Sequence, residues 1–204
     1  IGKTVIEGLL ESEDIHRTIK AMEKFGARIN KNKNYWEVDG FGTGGFSSPD
    51  GVIDCGNSGT TCRLILGAIA TTPIKAVFVG DPSLSKRPMD RIIKPLEQMG
   101  ASFIARENSF LPITVTGAKE PLPIIFESKI DSAQIKSAVL FAGLNCRGET
   151  TYIEKNLTRN HTENMLNDFG VKVESKFLSK GFFHKLQGFQ ELIPKKVFIF
   201  MVVL

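Results

Sequence analysis

The sequence predicts an α/β domain built as a threefold repeat of β-α-β-α-β-β units, with helices inside and sheets outside. Three observations predict it. Segments 18–42, 92–120 and 163–191 share one layout: an amphipathic helix, an aromatic-Gly or Met-Gly pair, two strands and a Gly. The glycines of those pairs, Gly26, Gly100 and Gly170, recur 74 and 70 residues apart, a regularity that marks repeated architecture. Upstream of the second and third copies stand the helical stretches "LILGAIA" and "AVLFAGL", apolar on nearly every face, as interior helices are.

Bulk properties bound the function. The 204 residues suit one large domain or two small ones. A chain 42% hydrophobic and 24% charged has the composition of a soluble globular protein. Its longest apolar runs fall short of the ~20 residues of a membrane span, so no membrane partner is expected. The net charge of +4 comes without a Lys/Arg block, so no nucleic-acid partner is expected either. Cys55, Cys62 and Cys146 form no C-x-x-C pair, which favours a reduced, cytoplasmic setting. The chain opens at Ile1 with no Met, which predicts a start further upstream.

In chain order, "KTVIEG" reads as a strand, followed by a helix near residues 14–25 that Gly26 closes in the left-handed conformation. This first copy lacks an earlier helix. Asn57 to Gly100 is 43 residues, and the same step back from Gly26 falls about 17 residues before Ile1. The missing helix and its leading loop are expected there.

Next comes "DCGNSGTTCRL", residues 54–64. Gly56 and Gly59 permit positive φ and close approach to the backbone. Thr60 or Ser58 caps a helix over 60–70. The loop is either a capped turn or an anion site at the positive end of that helix. Arg63 either reaches such an anion or pairs with a carboxylate. The strand "KAVFVGD" follows, then "DPSLSKRPMDRI" at 81–92. Pro88 fits the first position of a helix. Lys86 and Arg87 stand where the dipole disfavours cations, so Asp90 or a bound anion must compensate.

In "SKIDSAQIKSAVL", Ser132 is the candidate cap of a helix over 132–143, with Gln134 and Lys136 in its first turn. "ETTYIEK" is the next strand. In "NLTRNHTENML", residues 156–166, Arg159 precedes a helix capped by Thr158 or Asn160. Arginine suits bidentate binding of phosphate or carboxylate, and two arginines beside helix starts point that way. His16, His161 and His184 show no metal spacing, and His161 reads as a surface residue rather than a base. No Ser-His-Asp arrangement emerges.

Four stretches resemble one family. "GNSGTTCRL", "GDPSLSKRPMDRIIKPLEQMGA", "DSAQIKSAVLFAGL" and "LTRNHTENMLNDFGV" are similar to signatures of the bacterial 5-enolpyruvylshikimate-3-phosphate synthases, over roughly residues 4–175. The resemblance implies two similar domains of the enolpyruvyl transferase fold, an inside-out α/β barrel. It implies transfer of enolpyruvyl from phosphoenolpyruvate to the 5-hydroxyl of shikimate 3-phosphate in aromatic amino-acid biosynthesis. The partners would be those two small molecules, the protein a monomer, with no metal and no organic cofactor.

Residue by residue, the resemblance makes Asn57, Gly59, Arg87 and Gln134 phosphoenolpyruvate ligands. It makes Ser132, Ala133, Gln134 and Arg159 ligands of shikimate 3-phosphate, with Arg63 an additional candidate. It assigns no catalytic residue in this chain. A P-G-D-K-S stretch, with its lysine, is expected before Ile1. The acidic acid–base residues are expected after Leu204 or in missing segments. Residues 1–196 would be the first domain without its first helix, and 197–204 a remnant of the second. The tail "KKVFIFMVVL" lacks a P-G-D-x-S-S-A segment, which places missing residues between Ile199 and Phe200. Resistant members of the family often carry Ala where this chain has Gly59, so the resemblance implies sensitivity to glyphosate. Two rivals stand beside this reading. One is the transferase acting on UDP-N-acetylglucosamine, whose motifs fit worse. The other is an inactive binding module, since the chain as written lacks part of the site.

Overall fold

The computed structural model describes residues 2–179 and 181–199. The first unit comprises β1 (Gly2–Glu7), α1 (Glu13–Lys24), β2 (Arg28–Lys31) and β3 (Tyr35–Gly40). The second comprises β4 (Ile53–Asp54), α2 (Gly59–Ile69), β5 (Lys75–Val79), α3 (Asp90–Gln98), β6 (Ser102–Arg106) and β7 (Phe110–Thr116). The third repeats that order as β8 (Ile125–Glu127), α4 (Ala133–Gly143), β9 (Glu149–Glu154), α5 (His161–Asp168), β10 (Val173–Leu178) and β11 (Gly181–Gln187). The last described strand is β12 (Phe198–Ile199).

Each unit forms a four-stranded sheet of one topology. The orders are β12-β1-β3-β2, β4-β5-β7-β6 and β8-β9-β11-β10. In all three the leading pair is parallel and the other pairs are antiparallel. This is the α/β repeat that the sequence predicts. In the first sheet the leading strand comes from the far end of the chain: Ile6 and Glu7 pair with Phe198 and Ile199. Those two residues therefore extend the first sheet past the boundary that family motifs put at 196. Residues 200–204, and with them the expected gap before Phe200, lie outside the described residues.

Local chemistry accounts for most helix ends. Gly26, Gly100 and Gly170 have φ of 104°, 99° and 87°, the left-handed residue that stops α1, α3 and α5. Ser58, rather than Thr60, caps α2 by accepting the Thr61 N–H at 3.2 Å. Ser132 caps α4 by accepting from Ile135 at 3.4 Å. Two expectations need correction. Pro88 precedes α3 instead of opening it: the cap position falls to Met89, at φ −109° and ψ 4°, whose N–H donates to the Ser109 carbonyl at 3.1 Å. Asn160 occupies the cap position of α5 but makes no capping bond, and Thr158 is engaged elsewhere.

The core runs between α2 and α4. Leu66, Ile69, Ala138 and Val139 are all fully buried. A Cβ on Gly67 would stand 2.5 Å from both the Cα and the carbonyl oxygen of Ala138. The two helices thus touch backbone to backbone. This contact brings the N-terminal turns of α2 and α4 alongside each other. At the ends away from those turns, Thr71 Oγ1 donates to the Ala142 carbonyl at 2.9 Å.

Below the α4 N-terminus lies a buried charge cluster. The Lys136 Nζ, fully buried, is 2.9 Å from Glu154 Oε1 and 2.7 Å from Glu163 Oε1. His184 Nε2 lies 3.0 Å from Glu154 Oε1. Thr158 gives Glu154 two more bonds, from its N–H at 3.0 Å and its hydroxyl at 2.6 Å. Burial pushes the Glu154 pKa up, but the Thr158 donors and Lys136 outweigh it and hold the pKa below the usual Glu value. Burial, aided by Lys136, lowers the His184 pKa against the pull of Glu163 and Glu154.

Two outcomes are expected. Gly67→Ala drives a methyl into backbone and should destabilise the full-length protein by about 1–3 kcal/mol in urea unfolding. Gly40→Ala, whose methyl would meet only the Gly2 carbonyl oxygen at 3.6 Å, should be near neutral. Equal effects of the two would contradict the helix contact. Acidification should also destabilise in two steps of the same sign. Below about pH 6.5 the unfolded His184 takes a proton that the buried one resists. Below about pH 4.5 the unfolded Glu154 is protonated first, and its stabilising contribution disappears as pH falls through the depressed folded value. His184→Gln should remove the upper step from a pH series of urea midpoints.

Candidate active site

The loop before α2 is shaped by its own polar groups. Gly56, at φ 53°, donates its N–H to Asp54 Oδ1 at 2.9 Å. Arg17 lies so close that a Cβ on Gly56 would come within 2.7 Å of its Nε. Asp81, just past β5, accepts from Asn57 Nδ2 at 2.8 Å and from the Leu84 N–H at 2.7 Å. This fixes the Asn57 amide with its Oδ1 turned to Arg87, whose Nη2 donates to it at 2.6 Å. Arg87 also donates to Ser83 Oγ at 3.2 Å.

Gly59 opens α2 and faces two guanidinium groups. A Cβ there would stand 2.9 Å from Arg63 Nη1 and 3.5 Å from Arg87 Nη1. Arg63 is one turn into α2, and its Nη1 donates to Gln134 Oε1 at 2.8 Å. Gln134 in turn donates from Nε2 to Thr60 Oγ1 at 3.0 Å. A single amide therefore links the first turns of α2 and α4. With Ser58 and Ser132 occupied by Thr61 and Ile135, the N–H groups of Gly59, Thr60, Ala133 and Gln134 have no acceptor in their own helices.

The positive charge here is uncompensated. Among the described residues no carboxylate pairs with Arg63, Arg87 or Arg159, and Asp90 pairs with Lys94 at 3.3 Å instead. Burial lowers the Arg63 pKa, and repulsion from Arg91 and Arg87 adds to it. Its Nε is buried without a hydrogen-bond partner. Guanidinium groups so placed suit a bound anion.

Beside this junction opens a cleft of about 500 Å³, lined by Asp131, Ser132, Ala133, Gln134, Leu157, Thr158 and Arg159. It gathers Ser132, Ala133, Gln134 and Arg159, which the sequence singled out from two separate segments. Asp131 accepts from the Asn156 N–H at 3.0 Å and Nδ2 at 2.7 Å, and these bonds hold its pKa below the usual Asp value. Gln134 stands between the cleft and the Gly59–Arg63–Arg87 cluster, so all eight candidate residues share one face. His161 is exposed at the start of α5. Among the described residues no cluster of His, Cys, Asp and Glu is placed to hold a metal ion. None of the described helices is long and apolar enough to cross a membrane.

Sequence reasoning missed Asp81, Thr60, Asp131 and the Lys136–Glu154–Glu163–His184 cluster. For the cluster one signal was available: a lysine inside the otherwise apolar run "AQIKSAVLFAG" must meet a buried partner.

Known proteins carry the same chain organisation. The family model for EPSP synthase (3-phosphoshikimate 1-carboxyvinyltransferase) matches residues 1–196. A 3-phosphoshikimate 1-carboxyvinyltransferase of Paracoccus denitrificans is 52% identical over 198 residues, covering 97% of this chain and 45% of the relative. That of Rhodopseudomonas palustris is 53% identical over 177 residues, covering 86% of this chain and 40% of the relative. The solved EPSP synthase of Acinetobacter baumannii superposes with a TM-score of 0.90 at 36% identity, over 97% of this chain and 44% of that one. The chain thus spans under half the length of these relatives. With three matching sheets, the paired helix starts and a family match over nearly all its length, the chain belongs to the EPSP synthase family.

Proposed function

We propose that the full-length protein transfers the enolpyruvyl group of phosphoenolpyruvate to the 5-hydroxyl of shikimate 3-phosphate. A bond forms between that oxygen and C2 of phosphoenolpyruvate as the hydroxyl gives up its proton and the methylene carbon gains one. The C2–O bond to phosphate then breaks, phosphate leaves, and a methyl proton is lost to restore the double bond. The observation that carries this reading is the Arg63–Gln134–Thr60 bridge, which joins two helix N-termini beside uncompensated arginines. Both substrates are multiply anionic, and dipoles fixed in advance around developing charge are a main source of such rate acceleration.

In this reading Asn57, Gly59, Arg87 and Gln134 hold phosphoenolpyruvate, with Arg63 supporting Gln134. Ser132, Ala133, Gln134 and Arg159 hold shikimate 3-phosphate. Residues 1–196 together with β12 belong to the first of two domains, and domain closure completes the site. The full-length protein acts as a cytoplasmic monomer. The chain of 204 residues by itself binds shikimate 3-phosphate weakly and turns nothing over.

A coupled phosphate-release assay with both substrates tests the activity; no phosphate release from the full-length protein would refute it. Arg87→Ala should raise the KM for phosphoenolpyruvate, and Arg159→Ala that for shikimate 3-phosphate. Each should cost about 1.5–3 kcal/mol, roughly ten- to a hundredfold in kcat/KM. Glyphosate should compete with phosphoenolpyruvate, and undiminished turnover at millimolar glyphosate with low phosphoenolpyruvate would count against that. Gly59→Ala should weaken the inhibition, because the methyl displaces the Arg63 guanidinium 2.9 Å away.

A further inference from the structure

The Thr158–Arg159 wall of the cleft lies on a loop whose conformation is set from beneath. Glu154, at the end of β9, is fully buried and grips Thr158 twice, at the N–H and the hydroxyl. Lys136 of α4 contacts the same carboxylate and also donates to the Thr158 carbonyl at 3.4 Å. The polar groups of Thr158, the residue immediately before Arg159, are therefore all engaged by two buried side chains. On the other side of the loop, Asp131 holds Asn156. Lys136 is itself one turn into α4, whose first turn carries Ser132, Ala133 and Gln134. One buried ion pair thus ties the two walls of the cleft to each other.

We infer that Glu154 and Lys136 are positioning residues for Arg159: through Thr158 they hold its guanidinium at the distance from the α4 N-terminus that a sugar phosphate requires. Neither side chain touches the substrate. Glu163 brings a second carboxylate to the Lys136 ammonium, and His184 hydrogen-bonds Glu154. A buried charge cluster is not needed for stability here, since apolar side chains of similar size commonly serve as well. What the cluster supplies is direction, because carboxylate hydrogen bonds fix both the backbone and the hydroxyl of one loop residue. The inference rests on the assignment of Arg159 to shikimate 3-phosphate.

Thr158→Val in the full-length enzyme is the primary test, because it removes the 2.6 Å bond while leaving the buried charges paired. The expected result is a KM for shikimate 3-phosphate raised about tenfold, with the KM for phosphoenolpyruvate within about twofold of its original value. Thr158→Ser, which keeps the hydroxyl, should restore it. The double variant Thr158→Val/Arg159→Ala should bind shikimate 3-phosphate no worse than Arg159→Ala alone, because the first change acts through the second residue. Glu154→Gln should reproduce the KM split if it folds, and circular dichroism reports whether it does. A silent Arg159→Ala would overturn the substrate assignment beneath the inference. An effective Arg159→Ala with a silent Thr158→Val, or with additive effects in the double variant, would overturn the positioning role itself.

Discussion

The backbone contact between α2 and α4 at Gly67 and Ala138 is the constraint on which the site depends. Interior helices usually sit 8–10 Å apart, set by the side chains between them. Here glycine removes the spacer, and a methyl would collide with the Ala138 main chain. Close approach along the helices brings their first turns within reach of one glutamine side chain. The bond from Arg63 to Gln134 and the bond from Gln134 to Thr60 both cross this gap. A wider spacing would leave two separate helix N-termini, each a weak anion site, in place of one joined surface.

Two kinds of cation environment stand side by side. Arg17 pairs with Glu13 and Asp54, and Lys136 with Glu154 and Glu163. At the site, Arg63 and Arg87 meet only neutral oxygens, from Gln134, Asn57 and Ser83. Neutral acceptors fix a guanidinium in direction without cancelling its charge, so the charge is retained for a ligand. Repulsion between Arg63, Arg87 and Arg91 is the cost of this arrangement, and a multiply charged anion relieves it.

The sequence made much of this legible because its strongest signals are local. Gly26, Gly100 and Gly170 disclose their helix ends through the φ they permit, and Ser58 and Ser132 their caps through a bond spanning three residues. The threefold order followed from those markers. The start of α3 was misread because Pro88 suits a first helical position, whereas the cap position falls to Met89, held by the distant Ser109 carbonyl. Thr158 looked like a cap because its hydroxyl fits one, but α5 starts only at His161 and the Thr158 hydroxyl donates to Glu154. The carboxylate partners of Lys136 lie 18 and 27 positions away, on β9 and α5, where no periodicity connects them. The source of the leading strand of the first sheet was equally hidden, since β12 and β1 are separated by almost the whole chain.

The repeat also explains how one scaffold yields two different walls. In the second unit an aspartate just past the second strand, Asp81, holds an asparagine in the loop after the first strand, Asn57. In the third unit the roles are exchanged: Asp131 in the loop after the first strand holds Asn156 just past the second. Both pairs pin the same two loops of their unit to each other, and both fix a carboxylate in direction. The exchange changes what faces the ligand. The second unit presents an amide oxygen, which orients Arg87; the third presents a carboxylate held by Asn156, and leaves orientation of its arginine to the charges buried beneath Thr158. The repeated strands form the frame, and a swapped Asp–Asn pair gives equivalent loops different polar faces.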